Sequence, residues 1–193
     1  MPFNKQRYFT KHKMFQFFRI WKYKLLSTNK RTTGKAVCNQ PVLRLGLGKI
    51  IFGEAVKLGY YPSPFFFNGY IHLESRYKES KIVIGNNVFI NNNFFAISEG
   101  DGIEIGDNTL IGLNCEIIDS DFHEIAPDKR TSGKPATKKV VLGKNVFLGN
   151  NVKITKGVVL GENVVVANGS IVSSCFADNL IIGGVPAKII REL

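Results

Sequence analysis

The chain has 193 residues, 44% of them apolar, and a formal net charge of +11. That length fits one domain with an appendage, and the apolar share is enough for a core. Its three cysteines, Cys38, Cys115 and Cys175, are scattered with no CxxC or metal-ligand spacing, which excludes a disulfide framework and a cysteine-built metal site and points to a reducing compartment. No apolar run reaches transmembrane length and no secretory cleavage pattern is present, so a cytoplasmic location is expected. The charge is unevenly spread. Residues 1–53 hold 12 of the 26 Lys/Arg and no Asp or Glu, whereas the rest holds 14 Lys/Arg against 15 acidic residues.

Residues 1–35 form a basic, aromatic N-terminal segment, and Phe15 to Leu26 reads as a short helix. Two roles stand open for it. It can pack its aromatics on the exposed edge of the domain that follows and cap it. Alternatively, it can lie on an anionic membrane as a peripheral contact, with Trp21 and the phenylalanines inserted and the cations at the headgroups. Nucleic acid is not the expected partner, since no recognised binding motif accompanies the charge.

The domain spans residues 36–193. Residues 36–80 carry an irregular repeat, with Leu45, Ile51 and Leu58 each close to a glycine, interrupted by Tyr60-Tyr61-Pro62-Ser63-Pro64. His72, between Ile71 and Leu73, reads as a structural histidine on an outer strand face. Residues 82–118 settle into hexads with Asn87, Asn93, Asn108 and Asn114 in equivalent positions, and about three extra residues at Glu99–Gly102. Residues 119–139 interrupt the pattern with a polar loop. A loop of this length is not needed for packing and usually serves binding.

The repeat is clearest from Val141 to Ala177. Leu142, Leu148, Ile154, Leu160, Val166 and Val172 stand six apart, and four residues after each come Val146, Val152, Val158, Val164, Ser170 and Phe176. The second apolar residue of one hexad and the first of the next are two apart, so both face one side of a short strand. The position just before the second series is Asn145, Asn151, Gly157, Asn163, Gly169 and Cys175. Asn and Gly tolerate a left-handed backbone, so this position turns the chain. Short strands with a corner in every hexad predict a three-sided prism coiled upon itself, an all-β parallel β-helix. Residues 178–193 leave the coil, and a short C-terminal helix is expected to close it.

Of three histidines, only His123 lies on the extruded loop, with Asp119, Asp121 and Glu124 near it in sequence. A histidine oriented by a carboxylate is a suitable general base; a solvated loop histidine without a task has the same local sequence. No Ser/His/Asp order, Walker loop or dinucleotide fingerprint is present.

The hexads, His123 on its loop, the run Lys144-Asn-Val-Phe-Leu-Gly-Asn-Asn-Val and the tail Gly184-Val-Pro-Ala-Lys-Ile-Ile-Arg together resemble the hexapeptide-repeat acetyltransferases, with the sugar O-acetyltransferases as the nearest branch. The resemblance covers about residues 82–193. It implies a left-handed β-helix, a homotrimer, acetyl-CoA bound between neighbouring subunits as co-substrate, and no metal. His123 matches the family's catalytic histidine, and Asp121 is the carboxylate placed with it. Asn91 matches an asparagine near the acceptor and the acetyl group, with Asn93 as its rival. Phe147 stands where relatives carry a tryptophan beside the coenzyme. Gly149, Asn150, Ala167 and Ser173 match the pantetheine groove, and Lys188 and Arg191 match cations near the nucleotide phosphates. The implied activity is O-acetylation of a sugar of a surface polysaccharide (O-antigen or capsule, hence lipopolysaccharide biosynthesis) or its precursor. The alternatives are N-acetylation of a nucleotide-linked amino sugar and a non-catalytic β-helix scaffold.

Overall fold

A computed structural model describes the backbone of residues 5–193 and the side chains of residue 12 and residues 14–193. Residues 1–4 and the side chains of Lys11 and Lys13, part of the basic segment, lie outside this set. Among the described residues the chain runs through one helix, α1 (Lys5–Leu26), and then winds as a three-faced parallel β-helix. The first face stacks the strands Thr32–Thr33, Lys49–Phe52, Lys81–Ile84, Ile103–Ile105, Val140–Leu142 and Val159–Leu160. The second stacks Ala36–Cys38, Val56–Leu58, Phe89–Ile90, Leu110–Ile111, Phe147–Leu148 and Val165–Val166, and ends with Leu180–Gly184 and Ala187–Glu192. The third stacks Val42–Leu45, Ile71–Ser75, Phe95–Ser98, Glu116–Ile118, Lys153–Ile154 and Ile171–Val172.

Corner geometry explains the repeat. Asn87, Asn93, Asn108, Asn114, Asn145, Asn151 and Asn163 all hold φ between 55° and 60°, and Gly157 and Gly169 hold φ of 79° and 71°. Asparagine tolerates this region better than other residues with a side chain. It also adds a bond that glycine cannot. The Asn93 amide donates to Asn114 Oδ1 at 2.7 Å and the Asn114 amide to Asn151 Oδ1 at 2.8 Å. A second ladder runs Asn145 to Asn163 to Asn179 at 2.8 and 2.7 Å.

The core is a stack of aliphatic layers. Leu142, Leu148, Ile154, Leu160, Val166 and Val172 are buried, as are Val146, Val152, Val158 and Val164. In the early coils the inward residues are Ile50 and Phe52, and Ile51 faces outward. The irregular repeat there had hidden the register by one position, which reverses the face.

The expected C-terminal helix is not formed. Ala187–Glu192 instead folds back antiparallel on Leu180–Gly184, Gly184 pairing with Ala187. Ile181, Ile182, Ile189 and Ile190 are β-branched and favour extended structure, and Gly184 supplies the left-handed turn at φ 106°. This hairpin extends the second face by two strands.

Inward and outward positions of one strand should differ sharply in cost. Replacing Leu160, 1% exposed, with Ala is expected to lower unfolding free energy by about 2–5 kcal/mol. The neighbouring outward Val159→Ala should cost less than about 1 kcal/mol. Urea unfolding of both variants measures this.

Candidate functional site

The sequence-identified residues fall on two edges of the prism. The edge between the second and third faces carries, coil by coil, Asn91, Gly112, Gly149 and Ala167. Each donates its N–H to the coil above, Asn91 to Ile111 O (2.9 Å), Gly112 to Leu148 O (2.8 Å), Gly149 to Val166 O (2.8 Å) and Ala167 to Ile182 O (2.8 Å). Gly183 closes the row, and a Cβ there would sit 2.9 Å from that of Ala167. A Cβ on Gly112 would lie 2.7 Å from the Gly149 backbone, and one on Gly149 2.5 Å from Asn168 Oδ1. The edge is therefore a lane nearly free of side chains above Asn91. The side-chain oxygen of Asn150 accepts the Leu113 N–H at 2.8 Å, which ties this predicted groove residue to the corner below.

Beside the lane, Phe147 stands outward on the second face, 46% exposed. It lies between Leu110 and Val165, Val165 pairs with Ile181, and Ile181 pairs with Arg191. The hairpin thus sets Arg191 in the same row as Phe147 and Lys188 opposite Gly183, both cations exposed. A helical tail would not have fixed this register. Asn91 keeps its side-chain oxygen at the corner, accepting the Asn92 N–H at 2.8 Å.

The other edge, between the third and first faces, releases the loop of residues 119–139. Its neck is closed by Asp121 N–H to Ala136 O (3.2 Å) and Lys138 N–H to Asp119 O (2.9 Å). Ser173 lies on this edge as well, since it follows the third-face strand Ile171–Val172, and so is apart from Gly149 and Ala167 within the protomer.

The loop base revises the expected carboxylate partners of His123. Asp119, fully buried, turns into the prism and accepts from Ser98 Oγ (2.7 Å), Glu99 N–H (2.8 Å), Gly100 N–H (3.3 Å) and Gly102 N–H (2.8 Å). Strand alternation dictates this, because Ile117 is inward and Ile118 outward. Asp121 lies 3.2 Å from Lys156 Nζ, a charge contact without hydrogen-bond alignment, its Oδ2 having no aligned donor. The group that orients His123 is a main-chain carbonyl. Its Nδ1 lies 3.1 Å from Arg130 O. A carbonyl only accepts, so Nδ1 carries the proton and, in the neutral ring, Nε2 carries the lone pair. His123 is exposed.

A polar chain that the repeat pattern does not reveal holds the neck in place. Arg76 bonds Glu74 at 2.7 Å and Glu99 at 2.5 Å, Glu99 accepts from Ser120 Oγ, and Ser120 Oγ accepts the Phe122 N–H at 2.9 Å. The Arg76 guanidinium lies 5.3 Å from the Phe122 ring centroid. Burial raises the Glu74 pKa, but the bonds from Arg76 and His72 outweigh it and hold the carboxyl below its usual range. The signal for this network was Glu99–Gly102 itself, whose extra residues break the ladder and leave N–H groups in need of an acceptor. Burial pushes the Cys115 thiol up to about 11, so this thiol is held protonated and is not an activated nucleophile.

Residues 139–174 match the family described as bacterial transferase hexapeptide (six repeats), and residues 102–118 match the hexapeptide repeat of succinyl-transferase. The chain is similar to a galactoside O-acetyltransferase of Lactococcus lactis, 29% identical over 154 residues, which cover 80% of this chain and 70% of that protein. It is also similar to the galactoside O-acetyltransferase of Escherichia coli K12, 34% identical over 114 residues, covering 56% of each. The chain thus matches little more than half of that relative's length. Among solved structures, a point variant of an N-acyltransferase from Bacillus cereus in complex with dTDP and coenzyme A aligns with a TM-score of 0.59 at 25% identity, covering 86% of this chain and 84% of that one.

Asp119→Ala removes one acceptor from four donors, and each buried donor left unpaired costs about 1–3 kcal/mol. The amides of Glu99 and Gly102 are expected to lose hydrogen-exchange protection, and the loop of residues 119–139 to become readily cleaved by protease, while amides of the Val159–Leu160 strand keep their protection.

Proposed function

We propose, on the footing that this chain belongs to the hexapeptide-repeat acetyltransferases with their left-handed parallel β-helix, that it transfers the acetyl group of acetyl-CoA to a sugar hydroxyl of a surface polysaccharide, O-antigen or capsule, or of its precursor. The observation that carries the reading is His123, with Nδ1–H spent on the Arg130 carbonyl and Nε2 left as the basic atom on a loop that packing does not need.

The pantetheine arm is placed along the lane of Gly112, Gly149 and Ala167, with Phe147 against the coenzyme and Lys188 and Arg191 toward its phosphates. Cations paired with phosphate make charge-assisted bonds. Asn91 at the foot of the lane lies toward the acetyl group. His123 and the lane leave the protomer at opposite edges of the third face, which supports a site assembled between neighbouring protomers of a homotrimer. That arrangement also brings Ser173 of one chain toward the lane of the next.

In the reaction, Nε2 of His123 takes the proton from the acceptor hydroxyl as its oxygen attacks the thioester carbonyl. A tetrahedral oxyanion forms, stabilised by a main-chain N–H or an asparagine amide. It collapses with cleavage of the carbon–sulfur bond, and the proton passes from His123 to the departing thiolate. The products are the acetyl ester and CoA, and no acyl-enzyme is required.

The galactoside O-acetyltransferases support a hydroxyl acceptor, and the basic, aromatic front end of the chain suits an acceptor carried at a membrane face. The Bacillus cereus N-acyltransferase supports a second reading, N-acylation of a nucleotide-linked amino sugar, by the same proton transfer from an amine.

His123→Ala is expected to lower turnover by about 10²–10⁴-fold with CoA affinity nearly unchanged, measured by thiol release and by calorimetric titration. Near-normal turnover in this variant would sink the assignment. Acetyl-CoA should also raise the melting temperature of the wild-type protein, because a ligand bound only by the folded state stabilises it. A chain that neither consumes nor is stabilised by acetyl-CoA is a scaffold. Parallel assays with a hydroxyl sugar and a nucleotide-linked amino sugar separate the two enzymatic readings.

A further inference from the structure

We infer that α1 is a docking surface for an anionic lipid bilayer, held rigidly on the coil by one side and offering the other to the membrane. The inner side is bonded, not merely packed. Gln16, 3% exposed, donates from Nε2 to Phe66 O at 2.6 Å. Arg19 donates to Phe66 O at 2.9 Å and to Gly69 O at 2.6 Å, and the Tyr23 ring rests 4.9 Å from that of Tyr70. These bonds fix which side of the helix faces out.

The outward side carries Met14, Phe18, Trp21 and Leu25, each more than half exposed. Successive residues of a helix turn by 100°, so these four fall within about 60° of one another, opposite Gln16, Arg19 and Tyr23. Phe17 widens the stripe, and exposed Lys22 and Lys24 flank it on either side. No Asp or Glu occurs anywhere in residues 1–53. Among the described residues no helix is long and apolar enough to cross a membrane, so α1 would lie in the interface plane rather than span it.

Both halves of this surface need a partner at once. Nucleic acid would satisfy Lys22 and Lys24 but leave Trp21, Phe18 and Leu25 in water. A second copy docked stripe to stripe would cover the apolar side chains but bring Lys22 and Lys24 against their own kind, with no carboxylate in the helix to offset them. An anionic bilayer takes the rings and aliphatic chains at the headgroup boundary and meets the flanking cations with phosphate. The inference is independent of acetyl transfer, since none of these residues belongs to the proposed catalytic or coenzyme set.

The test uses the full chain and vesicles of phosphatidylcholine with and without phosphatidylglycerol. Trp21 is the sole tryptophan, so its emission reports directly on the stripe. Binding to the anionic vesicles, with a blue shift of Trp21 emission and weakening in high salt, is the expected result. Phe18→Ser with Leu25→Ser, and separately Lys22→Glu with Lys24→Glu, should each weaken vesicle binding by tenfold or more and leave turnover on a soluble acceptor unchanged. The inference is overturned if anionic vesicles neither bind nor shift Trp21. It is equally overturned if Trp21 becomes buried through self-association without lipid, or if the protein binds an oligonucleotide in preference to the vesicles.

Discussion

The coil depends on one backbone constraint, the left-handed residue that turns each corner. A three-faced prism must change direction after every two to five residues of strand, and it does so only where a residue accepts positive φ at low cost. Eight asparagines with φ between 55° and 60°, Asn179 included, meet that need between the faces. Once the corners are fixed, the pairs of inward aliphatics fall into vertical columns and the parallel ladders follow in register. The asparagine ladders then join one coil to the next through side chains as well as main chain, so the corners add to vertical cohesion instead of interrupting it.

The same constraint divides the two kinds of edge. Where asparagine ladders run, from Asn93 and from Asn145 upward, the chain turns without insertion; below them residues 59–70 interrupt the edge between the second and third faces. The edge between the third and first faces has glycines at the turn, Gly102 and Gly157, and there the chain departs from the hexad between Ser75 and Lys81 as well as at Glu99–Gly102 and at residues 119–139. Glu99–Gly102 and the loop of residues 119–139 are tied together by the Asp119 carboxylate, which accepts the N–H groups freed by the former at the base of the latter. A solenoid tolerates insertion at a corner because each coil contacts only its neighbours. The loop that carries His123 is therefore added to the scaffold without disturbing the stack, yet is anchored by buried bonds and not left to swing.

The parts legible in the sequence were those with a period. The inward aliphatics, the asparagine corners and the extruded loop could all be read from spacing, because a repeat states the same physical requirement many times. The parts that escaped were single events. The tail of residues 178–193 reads as a closing helix, yet four isoleucines flank its Gly-Gly-Val-Pro turn, a composition that favours the paired strands it forms. Closeness in the chain groups Asp119 with His123, while strand alternation sends its side chain into the prism. The carbonyl of Arg130, seven residues beyond His123, leaves no trace in residue type at all, since any residue brings a carbonyl. The bonds donated to Glu99 by Arg76 and by the Ser120 hydroxyl join coils about twenty residues apart, a separation visible only once the coil is built.

The position of the histidine bears on what the protomer can do alone. The loop of His123 on one edge and a side-chain-free lane on another are separated by the width of the third face. Proton abstraction requires the base within hydrogen-bond reach of the attacking hydroxyl, itself in contact with the thioester. Under the proposed reading, a protomer built this way would meet that requirement by setting its loop edge against the lane of a neighbour, and assembly would then be part of the catalytic geometry. The second-face hairpin has its place in the same argument, since it prolongs the lane's face by two strands and carries Lys188 and Arg191 to the end where a long, phosphate-bearing co-substrate would leave the prism.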